Sequence, residues 1–508
     1  MSVSITRNIS ANAIGRIWQA GLQFVITPIL IALLGPKSYG LVGFNVSLLM
    51  VLMFLDQCVS PVLARELARG GNAKDPDQAQ YMRNLLRSLE AVSFSSALIV
   101  GTAVIVSAPS IVGFALNSDG LPRDTVVNAV RLMGLGIACQ WPMYLYSGGF
   151  IGLQRQDILT NLRLILGTVQ AVGAVVLLWG LGPGIELFLG WQAISFAVNS
   201  IAMRVLLWRI LPAAPSPTRF DPSLLRGVWR FAAGSLSIGL TGALLTQSGS
   251  LLVAKYCTLD QLAAYSLCFA LVLNVMTIVA QPVTSTLMPH FSRLMLDRNE
   301  DALAREYHRW SQIVVTLALP VSFTLMVFGK PLMQLWLGPS SPLIAPVVAL
   351  LPWIAAGTMF NMLMTPPFLL QMAFGWTRLS VQKNVVALAI IVPALLIGVP
   401  RYGPVVAALC WVGVNLGYYL FEVPLVHRRL LRHEMWAWWG RDTLLPMIIT
   451  AAIFAMSAML APVDQGRWMG FAQAALTAAL AGALLIAVLP YPRAELRNLR
   501  RFFTRDAS

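Results

Sequence analysis

Residues 9–34 read ISANAIGRIWQAGLQFVITPILIALL, and the turn Gly35-Pro-Lys-Ser-Tyr-Gly40 leads straight into a second apolar run that lasts to residue 65. Each run is longer than the roughly 20 residues an α-helix needs to cross a bilayer. A pair of such runs joined by a Gly-Pro turn is a membrane hairpin. Arg7 precedes the first run as a basic residue precedes a secretory signal, but no clear small-x-small cleavage site follows. The run is therefore read as a retained first helix.

The same pattern continues along the chain. Apolar segments occupy 9–34, 39–65, 83–108, 125–152, 157–180, 185–210, 223–253, 259–289, 306–328, 342–372, 377–399, 404–426, 441–461 and 467–489. Gly182-Pro183-Gly184, Gly338-Pro339 and Gly403-Pro404 punctuate them as Gly35-Pro36 does. This predicts an all-α polytopic membrane protein with about fourteen transmembrane helices. Only 11% of the 508 residues are charged, against about a quarter in a soluble domain. No connection is long enough for a separate soluble domain. The net charge of +15 does not point to nucleic acid, because the basic residues gather at helix ends, where they meet anionic headgroups.

Lys and Arg fall on alternate connections. With the N-terminus cytoplasmic, seven of the 36 (Lys37, Arg123, Arg131, Lys255, Lys330, Arg401 and Arg467) lie on the outer half and 29 on the inner half. The asymmetry predicts that both termini are cytoplasmic.

The chain also repeats itself. Helix 2 ends in Asp56-Gln-Cys-Val-Ser-Pro61 and a basic loop; helix 8 ends in Gln281-Pro-Val-Thr-Ser, Pro289 and a basic loop. Helix 4 leads into Gly152-Leu-Gln-Arg-Gln-Asp157, and helix 10 into Phe374-Gly-Trp-Thr-Arg378. Both pairs are six helices apart, an even number, so the copies run the same way through the membrane. The expected architecture is an N-terminal lobe (1–210, helices 1–6) and a linker (211–222) containing Pro212-Ala-Ala-Pro-Ser-Pro217. A C-terminal lobe (223–426, helices 7–12) follows, related to the first by a parallel pseudo-two-fold repeat. Helices 13 and 14 and the basic tail (427–508) lie outside the repeat.

Polar residues within the membrane carry the chemistry. Asn8, Asn12, Arg16, Gln19, Gln23 and Thr27 recur at three- and four-residue steps and share one face of helix 1. Asn274, Thr277, Gln281 and Ser285 do the same on helix 8. Polar groups facing lipid are costly, so such a stripe faces a bundle interior or a hydrated cavity. Interhelical hydrogen bonding is the plainer role for an isolated Ser or Thr. Arg16, Asp56, Glu90, Arg163 and Glu422 are charges at membrane depth, with Arg163 and Glu422 near enough to helix ends to snorkel. Arg16 has two readings. It forms a structural ion pair with Asp56 or Glu90, or its guanidinium offers paired donors to a phosphate. Prolines inside the helices, among them Pro28, Pro142, Pro320, Pro352, Pro366-Pro367 and Pro393, suit bends in a cavity wall.

The sequence excludes several classes. It has no G-x-x-x-x-G-K-[ST] loop, no C-x-x-C, and no Ser/His/Asp motif. The four histidines (His290, His308, His427 and His433) sit at cytoplasmic helix ends without metal spacing and are expected to be solvated or to face headgroups. Neither a metal nor a cofactor is expected.

The opening Asn8-Ile-Ser-Ala-Asn-Ala-Ile-Gly-Arg16, then Leu33-Leu-Gly-Pro-Lys-Ser-Tyr-Gly40, together with Gly152-Leu-Gln-Arg-Gln-Asp157, resembles the Wzx-type polysaccharide flippases. These belong to the superfamily that also holds the multidrug and toxin extruders and the lipid II flippase. The resemblance implies a bacterial cytoplasmic (inner) membrane protein and alternating access of two lobes to a central cationic cavity. The implied substrate is a polyprenyl-diphosphate-linked oligosaccharide destined for surface polysaccharide. It implies a transporter and not an enzyme. On this reading Arg16 meets the diphosphate, while Asn12, Gln19, Gln23, Asn274 and Gln281 meet the sugar hydroxyls. Asp56 or Glu90 carries a coupling proton or cation, and polysaccharide polymerase machinery is a partner. The lipid II branch is richer in cavity arginines, which favours the polysaccharide branch. A multidrug or cation extruder of the same superfamily is the alternative; it calls for a cavity dominated by acids. A membrane-embedded glycosyl or acyl transferase is the third reading and calls for a catalytic acid or base at an interface.

Overall fold

A computed structural model describes residues 2–56, 59–70, 75–117, 120–297, 299–460 and 466–505. The helices in chain order are α1 (Ser2–Leu34), α2 (Pro36–Asp56), α3 (Val59–Gly70), α4 (Pro76–Ala115), α5 (Arg123–Gly152), α6 (Gln156–Leu181) and α7 (Ile185–Ile210). They continue as α8 (Pro222–Tyr256), α9 (Leu259–Leu296), α10 (Glu300–Val327), α11 (Gly329–Leu337), α12 (Ile344–Leu363), α13 (Thr365–Ala373) and α14 (Thr377–Tyr402). The last are α15 (Pro404–Gly417), α16 (Val423–Leu430), α17 (Met435–Ala437), α18 (Leu445–Met459), α19 (Arg467–Val488) and α20 (Pro490–Arg505). Two π-helical segments, Tyr418–Glu422 and Trp438–Leu444, join α15 to α16 and α17 to α18.

Ten segments among the described residues are long and apolar enough to cross a membrane. Outside that set, α1, α2, α5 and α8 are 33, 21, 30 and 35 residues long. At 1.5 Å per residue, 21 residues already span about 31 Å. The protein is all-α and multi-pass.

Local chemistry sets the helix ends. Gly35 (φ 78°) and Gly403 (φ 71°) take the left-handed conformation that lets one helix stop and the next begin at Pro36 or Pro404. Asp75, Asp221 and Asn299 cap α4, α8 and α10 by accepting from the backbone N–H of Asp77, Ser223 and Ala302. The Ser223 hydroxyl and N–H hold the Asp221 carboxyl below its usual range. Pro28, Pro142, Pro320, Pro352 and Pro393 all lie within continuous helices. The expected interruption appears at Pro366-Pro367, where α12 ends and α13 begins, since successive prolines supply no N–H to carry the ladder on.

The corners at 152–155 and 373–376 share one geometry. Gln154 (φ 57°) and Gly375 (φ 66°) are left-handed, and the next N–H reaches back five residues, from Arg155 to the Phe150 carbonyl (2.9 Å) and from Trp376 to the Gln371 carbonyl (3.1 Å). Both are Schellman caps. The sequence reading pairs these two corners in the repeat it expects.

The chain forms two compact units, Met1–Ala263 and Ala264–Ser508. The division falls within α9 and not at the 211–222 linker, because α8 packs on α2 and α4 and belongs to the first unit. In that unit α5 packs against α4, α7 and α3. Small residues make the approach close: a Cβ on Gly148 would lie 2.3 Å from the Ser60 carbonyl oxygen, and one on Gly152 would lie 2.5 Å from that of Ala64. Leu63, Leu67, Leu85, Leu89, Tyr146 and Leu207 fill the core beside this contact. In the second unit α10 is central, packed against α12, α18 and α19.

Replacing Gly148 by alanine is expected to cost about 1–3 kcal/mol, because the clash is with backbone. Gly190→Ala, where nothing lies within 4 Å of the added carbon, is the control. Thermal unfolding of the detergent-purified pair should show a lowered midpoint for Gly148→Ala alone.

Candidate functional site

Helix α1 lies along α6. Trp18 donates its indole Nε1–H to Thr168 Oγ1 (3.0 Å), and Gln19 Nε2 donates to the Arg163 carbonyl (3.4 Å). A Cβ on Gly15 would sit 2.6 Å from Thr160 Cγ2, so glycine is what lets the helices meet there. Gln19 and Gln23 are exposed. Thr27, the last member of the stripe, is buried and satisfies its hydroxyl on the Gln23 carbonyl (2.7 Å). The stripe is thus polar and open at Gln19 and Gln23 and closed at Thr27. Asn274 is half-buried on α9 in the second unit. The side chains of Asn12, Arg16, Asp56 and Gln281 lie outside the described residues.

Glu90 is buried to 1% and has its own partners. Its Oε1 accepts from Tyr146 OH (2.9 Å), Arg204 Nε (2.9 Å) and Trp208 Nε1 (2.8 Å), and Arg87 Nη1 stands 3.6 Å from Oε2. The sequence reading gives Glu90 as a charge at depth and as a candidate partner of Arg16; among the described residues its ion-pair partners are Arg204 and Arg87. Nothing local announces the pair with Arg204, which is 114 residues apart in sequence. The carboxyl group ties α4, α5 and α7 together.

Two clusters in the second unit correct the sequence reading. Glu422 does not snorkel: it is 3% exposed, and Lys383 Nζ bonds both of its oxygens at 2.7 Å. The Lys383 ammonium also stands 4.5 Å from the Tyr418 ring centroid. The π-helical segment Tyr418–Glu422 places Tyr418 and Glu422 about this lysine. His308 and His427 do not face headgroups either; both are buried. His308 lies between Asp442, which it contacts through Nδ1, and Glu434 Oε2, 3.0 Å from Nε2. Gln312 Nε2 donates to Asp442 Oδ1 (2.7 Å) and its Oε1 accepts from the Tyr491 N–H (3.2 Å), which joins α10, the second π-helical segment and α20.

Paired charges held within long apolar helices, and polar residues exposed on α1, define a polytopic membrane protein. The lipid II flippase MurJ in an inward closed conformation shares the fold, with a TM-score of 0.71 at 12% identity over 95% of this chain and 98% of that one. An inward-facing MATE-family multidrug transporter of the MOP superfamily does too, with a TM-score of 0.67 at 12% identity over 82% and 98%. The family model described as "Polysaccharide biosynthesis protein" matches residues 29–340, and the chain belongs to that family. Among curated proteins it is similar to the succinoglycan biosynthesis transport protein ExoT of Rhizobium meliloti (strain 1021), 25% identical over 359 residues. That match covers 68% of this chain and 65%, just under two thirds, of ExoT.

Arg204→Ala leaves the buried Glu90 carboxylate with neutral donors and Arg87. Breaking a buried pair costs about 3–5 kcal/mol, and about 2–3 is expected here because Arg204 is 43% exposed. Glu90→Gln with Arg204→Ala should recover part of the loss. A double-mutant cycle on thermal unfolding reads the coupling; strict additivity would remove the pair as a structural tie.

Proposed function

We propose that this protein flips a polyprenyl-diphosphate-linked oligosaccharide from the inner to the outer leaflet of a bacterial cytoplasmic membrane, by alternating access, for surface polysaccharide biosynthesis. The observation that carries the reading is the conjunction of polysaccharide-biosynthesis family membership with a fold shared along 95% of the chain with the lipid II flippase MurJ. In this proposal the chain has fourteen membrane helices, in two six-helix lobes related by a parallel repeat plus two C-terminal helices, and both termini are cytoplasmic. The shared caps at Gln154 and Gly375 support the repeat.

The substrate's diphosphate is assigned to Arg16 and its hydroxyl-rich sugars to Asn12, Gln19, Gln23, Asn274 and Gln281. The exposure of Gln19 and Gln23 supports the part given to α1, because their amides have donors and acceptors to offer. The prenyl chain stays in lipid. Rocking of the lobes exposes the headgroup on the opposite side, and no covalent bond changes. Coupling to a proton or cation is assigned to Asp56 or Glu90. Polymerase machinery receives the product.

Proteoliposomes loaded on one side with a labelled polyprenyl-diphosphate oligosaccharide test the proposal. The wild-type protein should deliver label to the opposite leaflet. Arg16→Ala should slow delivery at least about tenfold, the scale of a lost charge-assisted hydrogen bond, and Arg16→Lys by less. No delivery by the wild type across several glycans and ion gradients would overturn the flippase reading.

A further inference from the structure

The end of the first unit that carries the linker holds a cavity of about 600 Å3, lined by Arg83, Arg87, Arg204, Trp208 and Arg209 among others. Four guanidinium groups line it, and the one carboxylate that pairs with any of them, Glu90 with Arg87 and Arg204, leaves a surplus of three positive charges among the described residues. Among the described residues no other carboxylate forms an ion pair with these arginines.

Two of the four are fixed in place. Arg83 donates through Nε to the Pro212 carbonyl (2.6 Å) and through Nη2 to the Leu211 carbonyl (3.1 Å), and its guanidinium stands 5.7 Å from the Trp208 ring centroid. Arg204 is held by Glu90. Arginines that merely snorkel keep their conformational freedom. These two have surrendered it, and carbonyls take none of the positive charge away. The linker closes on the same place, since the Asp221 N–H donates to Ser88 Oγ (2.8 Å) and the Arg219 N–H to Asn84 Oδ1 (3.0 Å).

A second observation says what reaches the cavity. Ile194, Val198, Ile201 and Val205 recur at steps of four, three and four on α7 and are all exposed. They form an apolar stripe that runs along the helix and ends at Val205, itself on the cavity wall. A molecule lying on this stripe is apolar along its length and anionic at its end. From these features we infer that the cavity is a binding site for a lipid-borne phosphate: guanidinium groups take the phosphate oxygens, and the acyl chain lies on the α7 stripe. Arg209, and Arg87 from its looser 3.6 Å position beside Glu90, are the arginines that close on the phosphate, while Arg83 and Arg204 set the shape.

The test uses the full-length purified protein, native mass spectrometry, and three probes: phosphatidylglycerol, phosphatidylcholine and inorganic phosphate. The variant is Arg87→Gln with Arg209→Gln, which leaves the Glu90–Arg204 pair in place; an unchanged melting temperature certifies its fold. Phosphatidylglycerol should be retained at least about tenfold more strongly than phosphatidylcholine, whose choline offsets the phosphate charge. The double variant should lose that preference, as expected for charge-assisted bonds of about 1.5–3 kcal/mol. Equal retention of the two lipids, or an unaffected double variant, overturns the site. Displacement of phosphatidylglycerol by equimolar inorganic phosphate overturns the lipid assignment and makes this a free-phosphate site. If the double variant unfolds, Arg209→Gln alone carries the same comparison, and an unchanged lipid preference in it would count against the inference.

Discussion

A charge that leaves water must find its partners within the protein, and the buried carboxylate of Glu90 shows how far this constraint organises the first unit. Tyr146, Arg204 and Trp208 all converge on one oxygen, so α5 and α7 must bring those residues to α4 in a single register. Sliding any one helix by a turn would strand the carboxylate in an apolar core made by Leu85, Leu89 and Leu207. The glycines of α5 serve the same end. They allow α3 and α4 to approach closely enough that the polar contacts are short, for in lipid there is little hydrophobic force to bring helices together and packing must do it.

The second unit solves the same problem with different chemistry. Lys383 and Glu422 neutralise each other with two short bonds, and Asp442 is satisfied by His308, Gln312 and Arg441. Both acids lie in π-helical segments. One extra residue per turn changes which way the following side chains point, and here it delivers carboxylates to cations on neighbouring helices.

Much of the fold was legible because its signals are local. Gly35-Pro36 and Gly403-Pro404 mark helix junctions in sequence and in structure alike, since both depend on backbone conformations that few residues adopt. The Gly152–Asp157 and Phe374–Arg378 corners were paired by sequence, and their caps agree in detail. What was not legible depends on helices far apart in the chain. Arg204 carries no signal of its own in the sequence, and His308 reads as solvated or headgroup-facing, because only the packing of α4 and α7 on α5, or of α10 with 438–444, gives each its carboxylate. Sequence periodicity reports which face of a helix is polar, and it does not report what that face meets. Lys383 escaped notice for the same reason, being six residues inside α14 with its acid on another helix.

The distribution of satisfied and open polar groups bears on how such a fold does work. Glu90, Glu422 and Asp442 are each ringed by donors, so they are ill suited to hold a cargo and well suited to hold helices. Gln19 and Gln23 on α1 differ: both are exposed, although Gln19 Nε2 donates to the Arg163 carbonyl on α6. A transporter must release its substrate, which requires contacts that exchange readily, while the scaffold that moves around the substrate must not come apart. The first unit separates the two demands by position. Its strongest electrostatic tie lies among α4, α5 and α7, and its open amides lie on α1, which is anchored chiefly to α6. The ion pair that holds α4, α5 and α7 in register is thus separate in space from the exposed amides of α1, so a change at one need not disturb the other.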